Sequence, residues 1–315
     1  MSEDTGKKTG AGKRISIEGR PSKVEVGDFA SLPPDFSWYA HLASMIPGIL
    51  RGRDLEELSR RVAGAAGQGK PVILMMGAHV VKCGISGIIC DLIRKRIVTG
   101  VAVNGAFAIH DLEIALWGKT SEDVGAGLEQ GSFGMTEETA SHFNTASGLC
   151  LEQDLGLGEA LGVHLAAQDP PNSMVSVIAT AHRVGIPMTV HVALGTDVVH
   201  QHAEADGRAL GHGSMKDFRR FAAAVARLDG GVVLNMGSAV IMPEVFLKAV
   251  AMARNAGADL GDFTTANFDM FSLYRPAVNV VERPRLIGGT TYSFIGHHEI
   301  LLPVFFASIL AELRA

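Results

Sequence analysis

The chain has 315 residues, 47% hydrophobic and 19% charged, enough for one large α/β domain or two smaller ones and too apolar for a disordered chain. A net charge of −5 and a pI near 6.2 offer no basic field, which argues against a surface that tracks nucleic acid. No uncharged apolar run reaches the roughly 18 to 20 residues of a membrane span, the first residues lack a signal-peptide core, and Cys83, Cys90 and Cys150 form no CxxC, so a cytoplasmic protein in a reducing compartment is expected.

Residues 1–30 are polar and aperiodic and read as an arm, flexible or packed on a neighbouring subunit; 31–315 read as a single domain. Phe36, Trp38, Tyr39, Leu42 and Met45 form a packing cluster. Asp54 with Glu57 three residues on resembles a capping box opening a helix to about Ala66. PVILMMGAHV (71–80) is the first buried strand, closing at Gly77, and Ser86 starts a helix to Arg96. VTGVAVNGA (98–106) is the second strand, followed by a helix over 110–118. Thr120 and Thr136 read as helix starts. The acids Glu122, Asp123, Glu129, Glu137 and Glu138 read as a solvated face, or as an attractor for a cationic, polyamine-like ligand.

Further on, 173–185 is a helix and 187–195 a strand. A helix over 214–228 opens at Ser214 with Asp217 three residues later, and VVLNMG is the next strand. The helix at 243–257 has Pro243 in its first turn and Gly257 near its end. The apolar terminal helix, 299–315, is expected against the core or a partner subunit. Such alternation predicts right-handed βαβ units and a three-layer, Rossmann-like α/β fold with a mostly parallel central sheet, a closed β/α barrel being the alternative.

The common fingerprints are missing. GAAGQGK (64–70) has P-loop spacing, but Pro71 stands where a magnesium-binding Ser or Thr belongs, and the run precedes its strand. GxGxxG, HExxH and GxSxG do not occur. What remains is chemistry at four strand ends, where open α/β sheets bind ligands. These are His79 and Lys82 after the first strand, Asn104, Gly105, His110 and Asp111 after the second, Thr196, Asp197, His200 and His202 after the third, and Asn235, Gly237 and Ser238 after the fourth. Backbone amides beside Gly77, Gly105 and Gly237 are candidates to cradle a pyrophosphate, and Asp197 to hold a ribose hydroxyl or an amine. Asp197, His200 and His202, with His212, are also a possible divalent-metal set, and His297, His298 and Glu299 a weaker one.

GAHVVKCG (77–84), VNGAFAIHD (103–111), ALGTDVVH (193–200), DGGVVLN (229–235) and TTANFD (264–269) resemble, in order and spacing, segments of the deoxyhypusine synthase family over roughly residues 32–310. That resemblance implies a homotetramer with clefts between subunits, NAD binding and chemistry on a polyamine through a lysine imine. The likeness fails at informative places. Ile109 and His110 stand where the family has paired glutamates, and Asn235 and Met236 where its histidine region begins. No lysine lies between Phe271 and Leu302. Arginine cannot supply the neutral amine an imine needs, so Arg275, Arg283 and Arg285 are no substitute and the usual covalent route to deoxyhypusine is not expected.

The reading is therefore an NAD-binding transferase or oxidoreductase acting on a small amine or related substrate. His110 or His200 would accept the proton, with Asp269 and Asn235 completing the catalytic set. Gly77, His79, Lys82, Asn104, Gly105, Asp111, Thr196, Asp197, Gly237 and Ser238 would line the cofactor. Lys82 would balance phosphate charge or, alternatively, form an imine. Two other readings are a metal-dependent hydrolase or lyase built on Asp197, His200 and His202, and a ligand-binding homologue without catalysis.

Overall fold

The computed structural model describes residues 12–33 and 37–314; residues 1–11, 34–36 (with Phe36 of the expected packing cluster) and Ala315 lie outside them. The chain opens with β1 (Ser22–Glu25), α1 (Ser37–Met45) and α2 (Leu50–Gly67). Next come β2 (Val72–Met76), α3 (His79–Lys82), α4 (Ser86–Arg94), β3 (Gly100–Asn104) and α5 (Gly105–Trp117). Then follow β4 (Lys119–Glu122), α6 (Val124–Gln130), α7 (Glu137–Glu152), α8 (Leu157–Gln168), α9 (Val177–Val184) and β5 (Met188–His191). The last third holds α10 (Gly207–Val225), β6 (Val232–Met236), α11 (Ile241–Asn255) and β7 (Thr264–Asp269). It closes with α12 (Tyr274–Pro276), a π-helical turn (Ala277–Glu282), α13 (Arg283–Leu286), β8 (Thr290–Ile295) and α14 (His298–Glu312).

Six strands pair in parallel in the order β5-β3-β2-β6-β7-β8. This is a Rossmann-like sheet: counted by appearance its strands run 3-2-1-4-5-6, and the order reverses between β2 and β6, where a crevice opens at the carboxyl ends. Alternation along β2 makes the layers. Val72, Leu74 and Met76 pack with Leu58, Ile89, Leu302 and Phe305 on one face, while Ile73 and Met75 meet Phe221, Val225 and Phe246 on the other. Because both faces are covered, all of β2 and β6 is buried, which is why these strands read as continuous apolar runs.

Several boundaries differ from the sequence reading, each for a local reason. Asp54 lies inside α2 and pairs with Arg51 at 2.7 Å instead of capping. Helix α5 begins five residues early, because the Asn104 side chain accepts from the Phe107 amide at 2.9 Å and caps the turn directly off β3. Ser214 lies within α10, whose N-cap is Asp206. Asp217 is wholly buried in that helix and accepts from the amides of Gly158 and Val190, both at 2.8 Å, so it ties α8 and β5 together. Burial pushes its pKa up to about 7 against those two bonds. Thr120 is a strand residue, and Asp123 caps α6. Met45, expected in a packing cluster with Tyr39 and Leu42, is 78% exposed, whereas Tyr39 is buried.

The described part of the expected arm is not an arm. β1 pairs antiparallel with β4, Ile15 bridges to Thr136, and Ile17 and Arg20 are buried in the chain's own body. The terminal helix α14 lies on α2, with Ser308 and Ser59 hydroxyls 2.5 Å apart, so most of its apolar surface is covered within the chain while Ile300 stays exposed. No helix among the described residues is long and apolar enough to cross a membrane.

Candidate active site

The loops after β2, β3 and β5 meet at one edge of the sheet because the strands are parallel and adjacent. Lys82, His110, Thr196 and Asp197 line a common cavity of about 160 Å³ there. Two charged residues not anticipated from the sequence join them, Arg20 from the stretch before β1 and Glu113 from α5, together with Glu122 from β4, one of the acids read as a solvated face or an attractor for a cation. Ala106, Ile109, His110 and Glu113 follow the i, i+3, i+4, i+7 spacing of one helical face, so Glu113 belonged to the pattern once α5 is started at Gly105. Arg20 carried no local signal. It arrives through the β1–β4 ribbon, a contact across some ninety residues of chain.

Glu113 organises one wall. Its two oxygens accept from Arg20 Nη1 and Nη2 at 2.8 and 2.9 Å, from Thr139 at 2.7 Å and from Thr120 at 2.5 Å. Burial opposes ionisation, but Arg20 and Thr120 outweigh it and hold the carboxyl below its usual range. Thr120 has one proton, donated to that carboxylate, so toward His110 Nδ1 at 2.6 Å its oxygen can only accept. His110 therefore carries its proton on Nδ1 and keeps a lone pair on Nε2. Desolvation, helped by the Lys82 charge, lowers the His110 pKa to about 4, so the ring is neutral near pH 7. The expected result in ¹⁵N-labelled protein is an Nδ1–H tautomer for His110 at pH 7, with Thr120→Val shifting it toward Nε2–H. A wild-type Nε2–H resonance would refute the relay.

Asp197 faces the same cavity in a different condition. Its Oδ2 is buried with no hydrogen-bond partner, and burial alone pushes its pKa up to about 6. A Cβ at position 105 would stand 2.0 Å from that oxygen, so only glycine lets the carboxylate lie against the first turn of α5. Lys82 is exposed at the mouth, yet enough protein surrounds its ammonium that desolvation lowers its pKa, with Glu113 acting in the opposite direction.

Other expected site residues fall elsewhere. His200 does not line this cavity: its Nδ1 accepts from the amides of Gly195 at 3.2 Å and Asp197 at 3.3 Å, which uses the lone pair a base would need. His202 bonds the Gly134 carbonyl at 2.8 Å, and His212 pairs with Asp154. Among the described residues no group of three His, Cys, Asp or Glu side chains is placed to hold a metal, which overturns the Asp197, His200 and His202 reading. Asp111 is removed from the cofactor set. It is fully buried and accepts from Ser176 Oγ at 2.6 Å and from the amides of Val177 and Ile178 at 2.7 and 3.1 Å, anchoring the start of α9. Asn104 is used as the cap of α5.

The crevice between β2 and β6 does not fit a pyrophosphate. The Gly77 amide donates to Met236 O at 3.1 Å and the Gly237 amide to Phe268 O at 3.0 Å, so neither is free. A Cβ on Gly77 would stand 2.2 Å from Gly237 O: this glycine permits backbone to meet backbone rather than ligand. Ser238 Oγ accepts from Met242 N at the start of α11. Asn235, fully buried, donates to Ser238 O and Asn267 Oδ1, which makes it a tie between β6 and β7 rather than a catalytic group. Past these glycines, His79 Nε2 is 3.0 Å from Met270 Sδ and its ring is 5.0 Å from that of His298. Asp269 Oδ1 accepts from Met270 N, while Asp269 Oδ2 and His298 Nδ1 are buried without partners.

No protein-family model matches the sequence, and no curated protein matches it significantly. Solved structures do match. A "putative deoxyhypusine synthase" from Entamoeba histolytica aligns with TM-score 0.53 and 12% identity over 90% of this chain and 97% of that one. The ternary complex of AgrE with ornithine and NAD+ aligns with TM-score 0.50 and 14% identity over 83% of this chain and 33% of that one. ArgZ, a cyanobacterial arginine dihydrolase of the ornithine-ammonia cycle, aligns with TM-score 0.50 and 13% identity over 84% and 33%. The chain thus spans about a third of the length of these last two. Identities this low carry the fold alone, and the fold is the one found in a protein described as a deoxyhypusine synthase, as the strand-end segments implied.

Proposed function

We propose that the chain is an enzyme that binds a small primary amine in the cavity between Lys82 and Asp197. The observation that carries this reading is the buried, unpartnered Asp197 Oδ2, on a carboxylate that no cation among the described residues compensates. A ligand ammonium would supply the missing charge and hydrogen bonds. His110 Nε2 is the acceptor for a proton leaving the bound amine or its neighbouring carbon, while Glu113 and Thr120 keep the ring in the required tautomer. Covalent use of Lys82 is not needed for this chemistry.

A nicotinamide dinucleotide is the second part of the proposal. Its support is the fold shared with the AgrE–NAD+ complex and the free polar atoms of Asp269 and His298, which suit ribose hydroxyls or a carboxamide. The switch point offers no phosphate seat, so the amine chemistry rests on the chain's own residues. Exposed Leu194, Val240, Phe271, Ile295 and Ile300, all next to carboxyl ends of strands, support an assembly with clefts between subunits, the homotetramer being the form to test by light scattering.

Asp197→Asn tests the central point. The variant should lose amine binding by at least tenfold yet gain stability of about 3 kcal/mol at pH 7.5, since a carboxyl raised from 3.8 to about 6 is ionised there at a cost to the fold. That cost is absent well below pH 4, grows between about pH 4 and 6 and is level above, so the stability gain should vanish in acid. Wild-type affinity for amines should be flat above pH 7 and fall roughly tenfold per unit below 6. Unchanged binding in Asp197→Asn would overturn the proposal. A thermal shift with NAD+ or NADH tests the cofactor separately.

A further inference from the structure

We infer that the ligand of this cavity is a small zwitterion, an amino acid whose ammonium meets Asp197 and whose carboxylate meets Lys82. The inference rests on the amine reading above and narrows its substrate class. Two opposite charges line one cavity and do not pair with each other: Lys82 forms no ion pair or hydrogen bond among the described residues, and Asp197 Oδ2 has no partner. Of the two other acids in the lining, one is paired with a cation and the other is held by a backbone amide. Glu113 is bound by Arg20, and Glu122 accepts from the Gly134 amide at 3.1 and 3.2 Å.

A plain amine would satisfy Asp197 and leave its tail beside an unmatched ammonium; a plain carboxylate would do the reverse. A diamine would place its second cation against Lys82, where like charges repel. Only a molecule carrying both signs meets both ends, with Ile109, Phe133 and Val198 covering the carbon chain between them. Size sets the class further. The cavity holds about 160 Å³, and a cavity of ~150 Å³ admits benzene, so a ligand of roughly six to nine non-hydrogen atoms fits.

The test is calorimetry at pH 7.5 on the full-length protein with glycine and the straight-chain ω-amino acids of three to six carbons, each paired with the n-alkylamine of equal carbon number. At the best length the amino acid should bind at least tenfold more tightly than its alkylamine, about 1.4 kcal/mol. Lys82→Met should bring the two to equal affinity, and Asp197→Asn should abolish both. Alkylamines binding as tightly as amino acids at every length would overturn this inference and leave the amine reading standing. No binding in either series would overturn both. A Lys82→Met protein that retains the preference would also overturn the assignment of the carboxylate to Lys82.

Discussion

Replacing Arg20 with methionine is expected to cost about 3–5 kcal/mol, the largest loss of any single substitution around the cavity. Arg20 and Glu113 are both buried, joined by two hydrogen bonds, and no other cation among the described residues touches the carboxylate. Methionine fills much of the same volume, so the loss comes from an uncompensated charge rather than a void. The double substitution Arg20→Met with Glu113→Gln should recover much of that loss, because it removes the stranded charge together with its partner. A pH dependence follows. In the wild type Glu113 is held below its ordinary pKa; without Arg20 burial is opposed only by neutral donors such as Thr120 and drives it up, so the single variant should be least impaired in acid, where the carboxyl takes a proton. Urea unfolding of the three proteins at pH 5 and 7.5 measures this. A single-variant cost below 1 kcal/mol, or a double variant no better than the single, would mean the pair does not anchor the β1 end of the chain.

Asp111→Ala is expected to destabilise by a comparable amount, about 3–5 kcal/mol, while leaving amine affinity unchanged within twofold. The carboxylate accepts from three donors at the start of α9, and the substitution strands Ser176, Val177 and Ile178 in a dry interior at roughly 1–3 kcal/mol each. Burial raises the Asp111 pKa to about 6 against the pull of those bonds. This outcome separates a structural aspartate from a ligand-binding one, since Asp197→Asn is expected to do the opposite, losing ligand while gaining stability. Denaturant titration with calorimetry on the folded fraction decides it. An Asp111→Ala protein of normal stability and poor binding would return Asp111 to the site.

The two aspartates show why strand-end residues cannot be sorted by position alone. Asp111 and His110 are neighbours in sequence, but a helical step of about 100° sends one into the packing against α9 and the other toward the cavity. A start at Asn104 would have revealed that division. The cap is visible in the sequence as an Asn before Gly, and what hid it was the glycine, which read as part of the strand end and as a seat for a pyrophosphate. Gly77 and Gly237 misled in the same direction. A glycine records that something comes close, and here the visitor is the backbone at Gly237 for Gly77 and the His298 ring for Gly237, rather than a phosphate.

Local chemistry determined the class of this protein. Apolar runs with both faces covered announce parallel strands, and their alternation with helices leaves few topologies, so the sheet, its ligand edge and the gathering of Lys82, His110, Thr196 and Asp197 were legible from residues within single loops. Tertiary structure alone decided which of those polar groups are satisfied. Arg20 pairs with Glu113, His200 turns its lone pair to backbone amides, and Asp197, whose other oxygen accepts from the His200 amide, keeps Oδ2 without a partner among the described residues. The physical reason is that hydrogen bonds and desolvation act over a few ångströms in space, while the sequence orders groups along a chain that brings residue 20 beside residue 113 only when it folds.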